Sequence, residues 1–416
     1  MRSTAFWWVA TGFMLLVDIY FFQALKVVSL SASSRVKMII YISYWLLSLS
    51  AILVLLILPY IHFEKQARFA RSAIFSMIAG LFFAKLVASL FFFIDDLRRG
   101  VEWISGKFSS PGTSSKEVKT GEGITRSAFL SWAGMIAGGG LFATLVYGFG
   151  NKYRYQVKRT KLNYPNLPPA FKGLKIVQIS DIHSGSFNDK EAVMKGIIKV
   201  MQQKPDLILF TGDLVNNVTD EMNEYMDVFD KLHAPLGVYS VLGNHDYGDY
   251  VSWDNPGDKE ANLERLKQVH AKLGWRLLMN EFVELERAGE KIALLGIENW
   301  SAKARFPKHG DLKKAHTGTE NYPFKILMSH DPSHWRAQVL ENFGDIDLTL
   351  SGHTHGMQFG VELPGFKWSP VQYLYKEWAG LYAKGAQRLY VNRGFGFLGY
   401  PGRVGILPEI TLLELS

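Results

Sequence analysis

The sequence predicts an α/β domain of layered strands and helices, preceded by an all-α region of four membrane-crossing helices. Three observations predict it. Four apolar stretches of bilayer-spanning length lie in the first 150 residues, and beyond about residue 160 short apolar strands alternate with amphipathic helices. The third observation is the composition: of 416 residues 48% are hydrophobic and 20% charged, and the mean hydropathy is +0.03. That is more apolar than a soluble enzyme usually is, and it excludes a disordered chain. The length allows roughly two to four units at about 100–200 residues each. The net charge of +8 is uneven: residues 1–150 carry 14 Lys and Arg against 7 Asp and Glu, and residues 151–416 carry 32 against 31. The basic excess flanks apolar segments and forms no patch on the globular part, so no nucleic-acid partner is expected. Zero cysteines exclude disulfides, thiolate metal sites and cysteine nucleophiles.

The four predicted spans, together the anchor 1–150, run over about 4–25, 38–61, 72–94 and 127–149, with the lipid bilayer as partner. The second is free of charge from Met38 to Ile61, and the fourth from Ser127 to Gly150. The first carries Asp18 and the third Lys85, each near mid-span, where an ionisable group is expensive unless paired or hydrated. Helices one and three run the same way, so the two can meet at similar depth. They read either as an ion pair fixing the bundle or as part of a proton or ion path. In the fourth span Gly134 and Gly138 make a small-xxx-small face for close helix packing.

An even number of spans puts both chain ends on one side. The loops on that side hold Arg2, Lys65, Arg68 and Arg71, and then five basic residues from Lys152 to Lys161. The other side holds nine: Lys26, Arg35, Lys37, Arg98, Arg99, Lys107, Lys116, Lys119 and Arg126. The five from Lys152 onward begin a large domain and weigh little in the charge rule, leaving four against nine. The expectation is a multi-pass inner or plasma membrane protein with its carboxy-terminal domain on the extracytoplasmic face. Ile124 to Leu130 resembles a twin-arginine export signal in which only Arg126 stands, in line with that placement.

Residues 151–169 are expected to be a linker, because the prolines of Tyr164 to Pro169 oppose helix and favour extended chain. The domain from 170 to 416 then offers strands at Leu174–Ile179, Leu207–Phe210, Val238–Leu242, Ile292–Ile297, Phe324–Met328 and Leu348–Leu350. Val193, Ile197 and Met201 recur every four residues after a possible cap at Asn188, the pattern of a helix covering the sheet. Five of the strands run into chemistry: Ser180-Asp181-Ile182-His183, Thr211-Gly212-Asp213, Gly243-Asn244-His245-Asp246, Ser329-His330-Asp331 and Ser351-Gly352-His353-Thr354-His355. Asp, His and Asn are thus delivered to one sheet edge, with glycines permitting tight turns before them. Ten of the eleven histidines lie in this domain.

This series, D-x-H, G-D, G-N-H-D, a lone His and G-H-x-H, resembles the calcineurin-like metallophosphoesterase family over about 160–416. It is similar to that family's bacterial membrane-associated phosphodiesterase subgroup through Gly356, Gln358, Val391-Asn392-Arg393-Gly394 and Pro408-Glu409-Ile410. That subgroup includes enzymes cleaving the pyrophosphate of a UDP-linked acylated glucosamine. The resemblance implies a sandwich of two mixed β-sheets flanked by helices, with two divalent metal ions between strand ends. Position by position it implies that Asp181, His183 and His355 bind one metal, that Asn244, His330 and His353 bind the other, and that Asp213 bridges them. Nitrogen and oxygen ligands without thiolate suit Mn, Fe, Zn or Co. Two ions so bridged sit about 3.5–4 Å apart and clamp the attacking and leaving oxygens of an in-line displacement by a hydroxide held between them.

His245 follows a ligand without being one. It is the candidate for protonating the leaving oxygen, with Asp246 orienting its ring, or else it is a structural histidine behind the ligands. His334 competes with His330 for the lone-histidine role, and His330 is favoured because it directly follows a strand. Two positions depart from the subgroup: Met357 stands where it has a second glycine, and Glu298-Asn299-Trp300 where it has paired acids. From Ser301 to His316, Lys303, Arg305, Lys308, Lys313 and Lys314 face one acid, Asp311, as either a basic lid or a solvated loop. Arg393 is a candidate phosphate-binding fork. The expected activity is hydrolysis of phosphodiester or pyrophosphate bonds in a phosphate-containing small molecule or a lipid-linked, cell-envelope substrate. The alternatives are a hydrolase of soluble nucleotides, or a membrane scaffold or sensor that keeps the metal site without turnover.

Overall fold

The computed structural model describes residues 4–60, 68–108 and 126–416. It divides into two compact units, one ending at Tyr147 and the other running from Gly148 to Ser416. Helices α1 (Thr4–Val28), α2 (Ser34–Ile57), α3 (Arg68–Phe108) and α4 (Arg126–Gly148) make up the first. All four are long and apolar enough to cross a membrane. The third differs from its expected bounds, because beyond Ile94 it continues as an amphipathic helix carrying Asp95, Arg98 and Glu102, which pair along one face. Of the residues weighed for orientation, Arg2, Lys65, Lys116 and Lys119, with Ile124 and Thr125 of the export-like stretch, lie outside the described residues.

Lys85 Nζ donates to Asp18 Oδ1 at 2.6 Å and to Ser48 Oγ at 2.6 Å, and the Tyr44 hydroxyl donates to the same carboxylate oxygen at 3.0 Å. Asp18 and Lys85 are both buried. The two ionisable groups are therefore a satisfied pair, an arrangement in which a low-dielectric interior tolerates them. Gly134 and Gly138 lie against Ala88 and Ala84 of α3, so close that a Cβ at Gly134 would meet the Ala88 carbonyl oxygen at 2.7 Å.

In the second unit, residues 156–162 form a strand where a linker was expected. β1 (Gln156–Leu162) pairs parallel with β14 (Glu409–Leu415) along seven residues. Its polar, half-exposed side chains suit an edge strand, and only Leu162 is buried. The first sheet continues through β2 (Lys175–Ile179), β3 (Leu207–Phe210), β4 (Val238–Ser240) and β5 (Arg276–Leu277), in the order β1-β14-β2-β3-β4-β5. The second sheet contains β6 (Glu281–Arg287), β7 (Glu290–Gly296), β8 (Lys325–Met328), β9 (Leu348–Ser351), β12 (Gly380–Lys384) and β13 (Gln387–Val391), in the order β12-β13-β9-β8-β7-β6. Both are mixed: β2, β3 and β4 run parallel, as do β7, β8, β9 and β13, while β14 against β2 and β6 against β7 are antiparallel. A short hairpin, β10 (Val361–Leu363) and β11 (Phe366–Trp368), stands apart from them.

The central strands read as unbroken apolar runs because both faces are covered. Ile176, Leu207 and Leu209 of the first sheet meet Leu294, Ile326, Met328 and Leu350 of the second in the layer between sheets. Val177, Ile208 and Phe210 point the other way, under α5 (Lys190–Met201) and α7 (Pro256–Lys272), with the single turn α6 (Met226–Phe229) beside them. Leu295 and Leu327 lie under α8 (Leu312–His316) and Trp335. Helix α5 is capped by Asp189, one residue after the expected Asn188, whose side chain accepts from the Ala192 amide at 2.9 Å.

Candidate metal centre

Five parallel strands, β2, β3 and β4 of one sheet and β8 and β9 of the other, end on the same side of the sandwich. Each hands over a loop that carries the site, the position at which open α/β sheets place ligands. The sheets are tied there by Gln178 Nε2, which donates to Thr211 Oγ1 and to the Ser351 carbonyl. The loops must approach closely. At Gly212, with φ +96°, a side chain would strike the Gly243 backbone and His330, and at Gly352 it would strike Ser180 and the Asp181 carboxylate. Asp181, His183, Asp213, His353 and His355 all have φ between +48° and +69°, left-handed backbone that non-glycine residues adopt at a cost of about 1–3 kcal/mol each.

Two groups of side chains result, Asp181 with His183 and His355, and Asp213 with His330 and His353. Within the first, His355 Nε2 lies 3.0 Å from His183 Nε2 and 3.2 Å from Asp181 Oδ1. Within the second, His330 Nε2 lies 3.2 Å from Asp213 Oδ2 and 3.2 Å from His353 Nδ1. Asp213 joins the groups, because its Oδ2 is also 3.5 Å from His183 Nε2 while its Oδ1 accepts from the His245 amide at 2.9 Å. His330 Nδ1 donates to the Thr211 carbonyl at 2.8 Å, which turns the Nε2 lone pair into the site. Asn244 sits beside them, its Nδ2 donating to the Tyr250 hydroxyl at 2.8 Å and its buried Oδ1 without a protein partner.

This donor set fits divalent metal. Converging ring nitrogens, two carboxylates and an orphaned amide oxygen, all buried except the half-buried His353, are costly unless a cation completes them. Burial pushes the His183 imidazole down to about 3 and that of His353 to about 4, so both are neutral, as ligands must be. Burial lowers His330 too, but the Asp213 carboxylate outweighs it and lifts that ring to about 10. The field that draws a proton to His330 is one that draws a cation.

His245 lies at the rim, edge-on to His183 and tilted against Tyr250 with ring centroids 5.0 and 4.3 Å away, and with Nδ1 2.7 Å from the Asn216 carbonyl. The expectation that Asp246 orients this ring is not met. Asp246 accepts from the amides of Asp213, Leu214 and Gly243 and so laces two site loops together, and it is the Asn216 carbonyl that fixes the ring. Arg393 is not a phosphate fork either. It is buried and spends its donors on Glu409 and on Glu362, the latter at 2.8 Å. His334 faces away, its nitrogens at Ser329 Oγ and Gln338 Oε1. Glu298 receives Tyr247 and Asn280 and does not line the cleft.

The cleft over the cluster measures about 460 Å³ and is lined by His183, His245 and His353 with Arg305, Phe306, Met357 and Leu374 among others. Of the five cations between Ser301 and His316 only Arg305 lines it; Lys303 and Lys308 lie over the rings of Tyr375 and Trp300. Met357 holds φ +54° at this rim. Tyr250 and Tyr375 were not foreseen, since neither belongs to a strand-end motif. Tyr375 places its hydroxyl 2.9 Å from His353 Nε2 and 3.3 Å from Asp331 Oδ2.

Residues 174–357 match the family described as calcineurin-like phosphoesterase, and residues 1–151 match a probable calcineurin-like phosphoesterase transmembrane domain. An uncharacterized metallophosphoesterase of Bacillus subtilis, YkuE, is 30% identical over 304 residues, covering 70% of this chain and 98% of that protein. The UDP-2,3-diacylglucosamine pyrophosphatase LpxG of Chlamydia trachomatis is 31% identical, covering 57% of this chain and 83% of its own length. A zebrafish transmembrane protein with metallophosphoesterase domain is 31% identical over 65% of this chain, which spans 60% of that relative.

Proposed function

The chain belongs to the calcineurin-like phosphoesterases, and from that membership we propose that this membrane-anchored, metal-dependent phosphoester hydrolase uses two divalent ions to cleave phosphodiester or pyrophosphate bonds of lipid-linked, cell-envelope molecules. One observation carries the dinuclear reading: the Asp213 carboxylate lies within 3.5 Å of ring nitrogens from both side-chain groups. Asp181, His183 and His355 would hold one ion and Asn244, His330 and His353 the other, with Asp213 placed to serve both. Mn, Fe, Zn and Co all suit the set. When bound, the ions supply Lewis acidity and an acidified water for in-line attack on phosphorus.

The chain's own residues do the rest. Because the Asn216 carbonyl can only accept, His245 keeps a proton on Nδ1, and it is from the doubly protonated ring that Nε2–H passes a proton to the leaving oxygen at the rim, leaving a neutral ring still bonded through Nδ1. Arg305 supplies a planar cation to the phosphoryl oxygens, and Phe306 and Leu374 keep water from the cleft. Its volume lies in the range of about 300–1,000 Å³ usual for ligand sites. Two things support an envelope substrate: the anchor, and the similarity to a protein named as a pyrophosphatase of a diacylated UDP-sugar. The loop charges, four against nine once the start of the domain is discounted, support an extracytoplasmic domain.

The test is Asp213→Asn in detergent-purified protein, followed by metal analysis and hydrolysis of bis-p-nitrophenyl phosphate. A neutral amide bridges two cations poorly, so metal content and turnover fall together. Full activity with two ions per chain in this variant overturns the dinuclear reading.

A further inference from the structure

Among the described residues from Gly148 onward, nine large hydrophobic side chains are exposed, and seven of them fall between Met357 and Leu381. At the centre of this stretch stands the β10–β11 hairpin. Its tip is Leu363-Pro364-Gly365-Phe366, with Leu363 61% and Phe366 57% exposed and directly opposite each other in register. The segment after the hairpin adds Tyr373 and Leu374, 76% and 53% exposed. Strand alternation accounts for the hairpin's one acid: Glu362, between Val361 and Leu363, faces inward to Arg393 at 2.8 Å and Lys158 at 3.2 Å. What remains outside is an apolar ridge, larger than scattered surface residues explain.

The base of the hairpin is tied to the first residues of the second unit. Helix α4 ends at Gly148, whose carbonyl accepts from the Arg403 amide at 2.9 Å, and Asn151 Nδ2 donates to the Arg403 carbonyl at 3.2 Å. The next residue, Val404, donates to the Gln358 carbonyl at 2.8 Å and accepts from the Gly360 amide at 2.9 Å. Three backbone steps, Gly148 to Arg403, Val404 to Gly360 and then Val361, join the last residue of a membrane-crossing helix to the first of the apolar hairpin. The same stretch lines the cleft through Met357 and Leu374.

We propose that this ridge docks onto the bilayer, Leu363 and Phe366 entering the headgroup and acyl boundary beside the mouth of the cleft, so that the domain is held by a second membrane contact besides its covalent anchor. An apolar edge of this kind settles about 5–10 Å into that boundary. The proposal needs the anchoring alone and no particular substrate, so its failure leaves the hydrolase reading standing.

The chain has no cysteine, and single labels are therefore unambiguous. Leu363→Cys and Phe366→Cys in the full chain carry a nitroxide in vesicles of mixed zwitterionic and anionic lipid, and Glu286→Cys, exposed on the far edge strand β6, is the control. Retained hydrolysis of bis-p-nitrophenyl phosphate shows that each labelled chain is folded. The expected result is higher accessibility to oxygen than to a water-soluble nickel chelate at 363 and 366, and the reverse at 286. Equal exposure to the chelate at all three sites overturns the proposal. So does dipolar broadening between labels at 366, which would make a second copy of the chain the occupant.

Discussion

His245 contributes to the site twice, through atoms that can be separated. Its amide holds Asp213 Oδ1 and survives any side-chain change, while its ring, fixed by the Asn216 carbonyl, is free to act at the cleft. His245→Ala should therefore lower kcat by about 10²–10⁴, the usual share of a general acid, with metal content at the wild-type level. Loss of metal in that variant would make the ring a ligand instead. His270 gives a different kind of test. It is fully buried beside Phe210 and Trp275, neither ring nitrogen has a partner, and burial pushes it from 6.5 to about 3. The folded state thus refuses a proton that the unfolded chain accepts, so stability is complete above about pH 6.5 and falls as pH drops towards 3, by about 1.4 kcal/mol per unit. Denaturation of His270→Phe beside the wild type at pH 7 and pH 5 checks the sign: the gap between the two proteins should shift in favour of the variant at the lower pH. The convergence of Asp181, His183, Asp213, His330, His353 and His355 at the strand ends was readable as sequence because a short motif carries each. The work of Asp246 and Arg393 was not, since their partners lie in distant segments: Asp213 and Leu214 for one, Glu362 and Glu409 for the other.

Apolar length alone made the four membrane helices legible, and the Asp18–Lys85 pair followed from the depth of the two residues. The end of α3 did not, because its last turns are held by pairs such as Arg98 with Asp95 and Glu102, and hydropathy does not register these. β1 was hidden for the opposite reason: Gln156 to Leu162 alternates weakly, and its strand character comes from the partner β14. The central strands were readable because their burial on both faces is written as continuous apolar runs. Pair logic predicts an asymmetry in the membrane unit. Asp18→Asn alone leaves the Lys85 ammonium buried without its counter-charge, a loss of about 3–5 kcal/mol where such a pair is broken. Asp18→Asn combined with Lys85→Met removes both charges and should recover most of it. Thermal unfolding of the detergent-solubilised proteins reads the cycle, and additive losses would mean that the two residues act independently.

Every residue assigned to the centre lies beyond Gly148, on strands whose neighbours all belong to the same unit. A chain beginning at Gly148, which keeps the Gly148 and Asn151 bonds to Arg403, should fold, load metal and hydrolyse bis-p-nitrophenyl phosphate at the rate of the full protein. Its loss should fall on bilayer-embedded substrates, where anchoring raises effective concentration. Inertness towards every small phosphoester despite full metal loading would mean that the helices help to build the site.

The place of β14 in the first sheet also governs the order of assembly. β14 follows every other strand of its sheet along the chain, yet it inserts between β1 and β2, the first two of the domain, and the Ser416 amide closes onto the Leu162 carbonyl. Until β14 has left the ribosome, β2 presents an open edge and β1 has no neighbour, so this sheet closes only after all of its other strands have been made. Loss of Glu409 to Leu415 would therefore not trim a tail. It would leave a gap in the middle of the sheet, and the nascent domain would pass to proteases or aggregates with every candidate metal ligand already in its sequence.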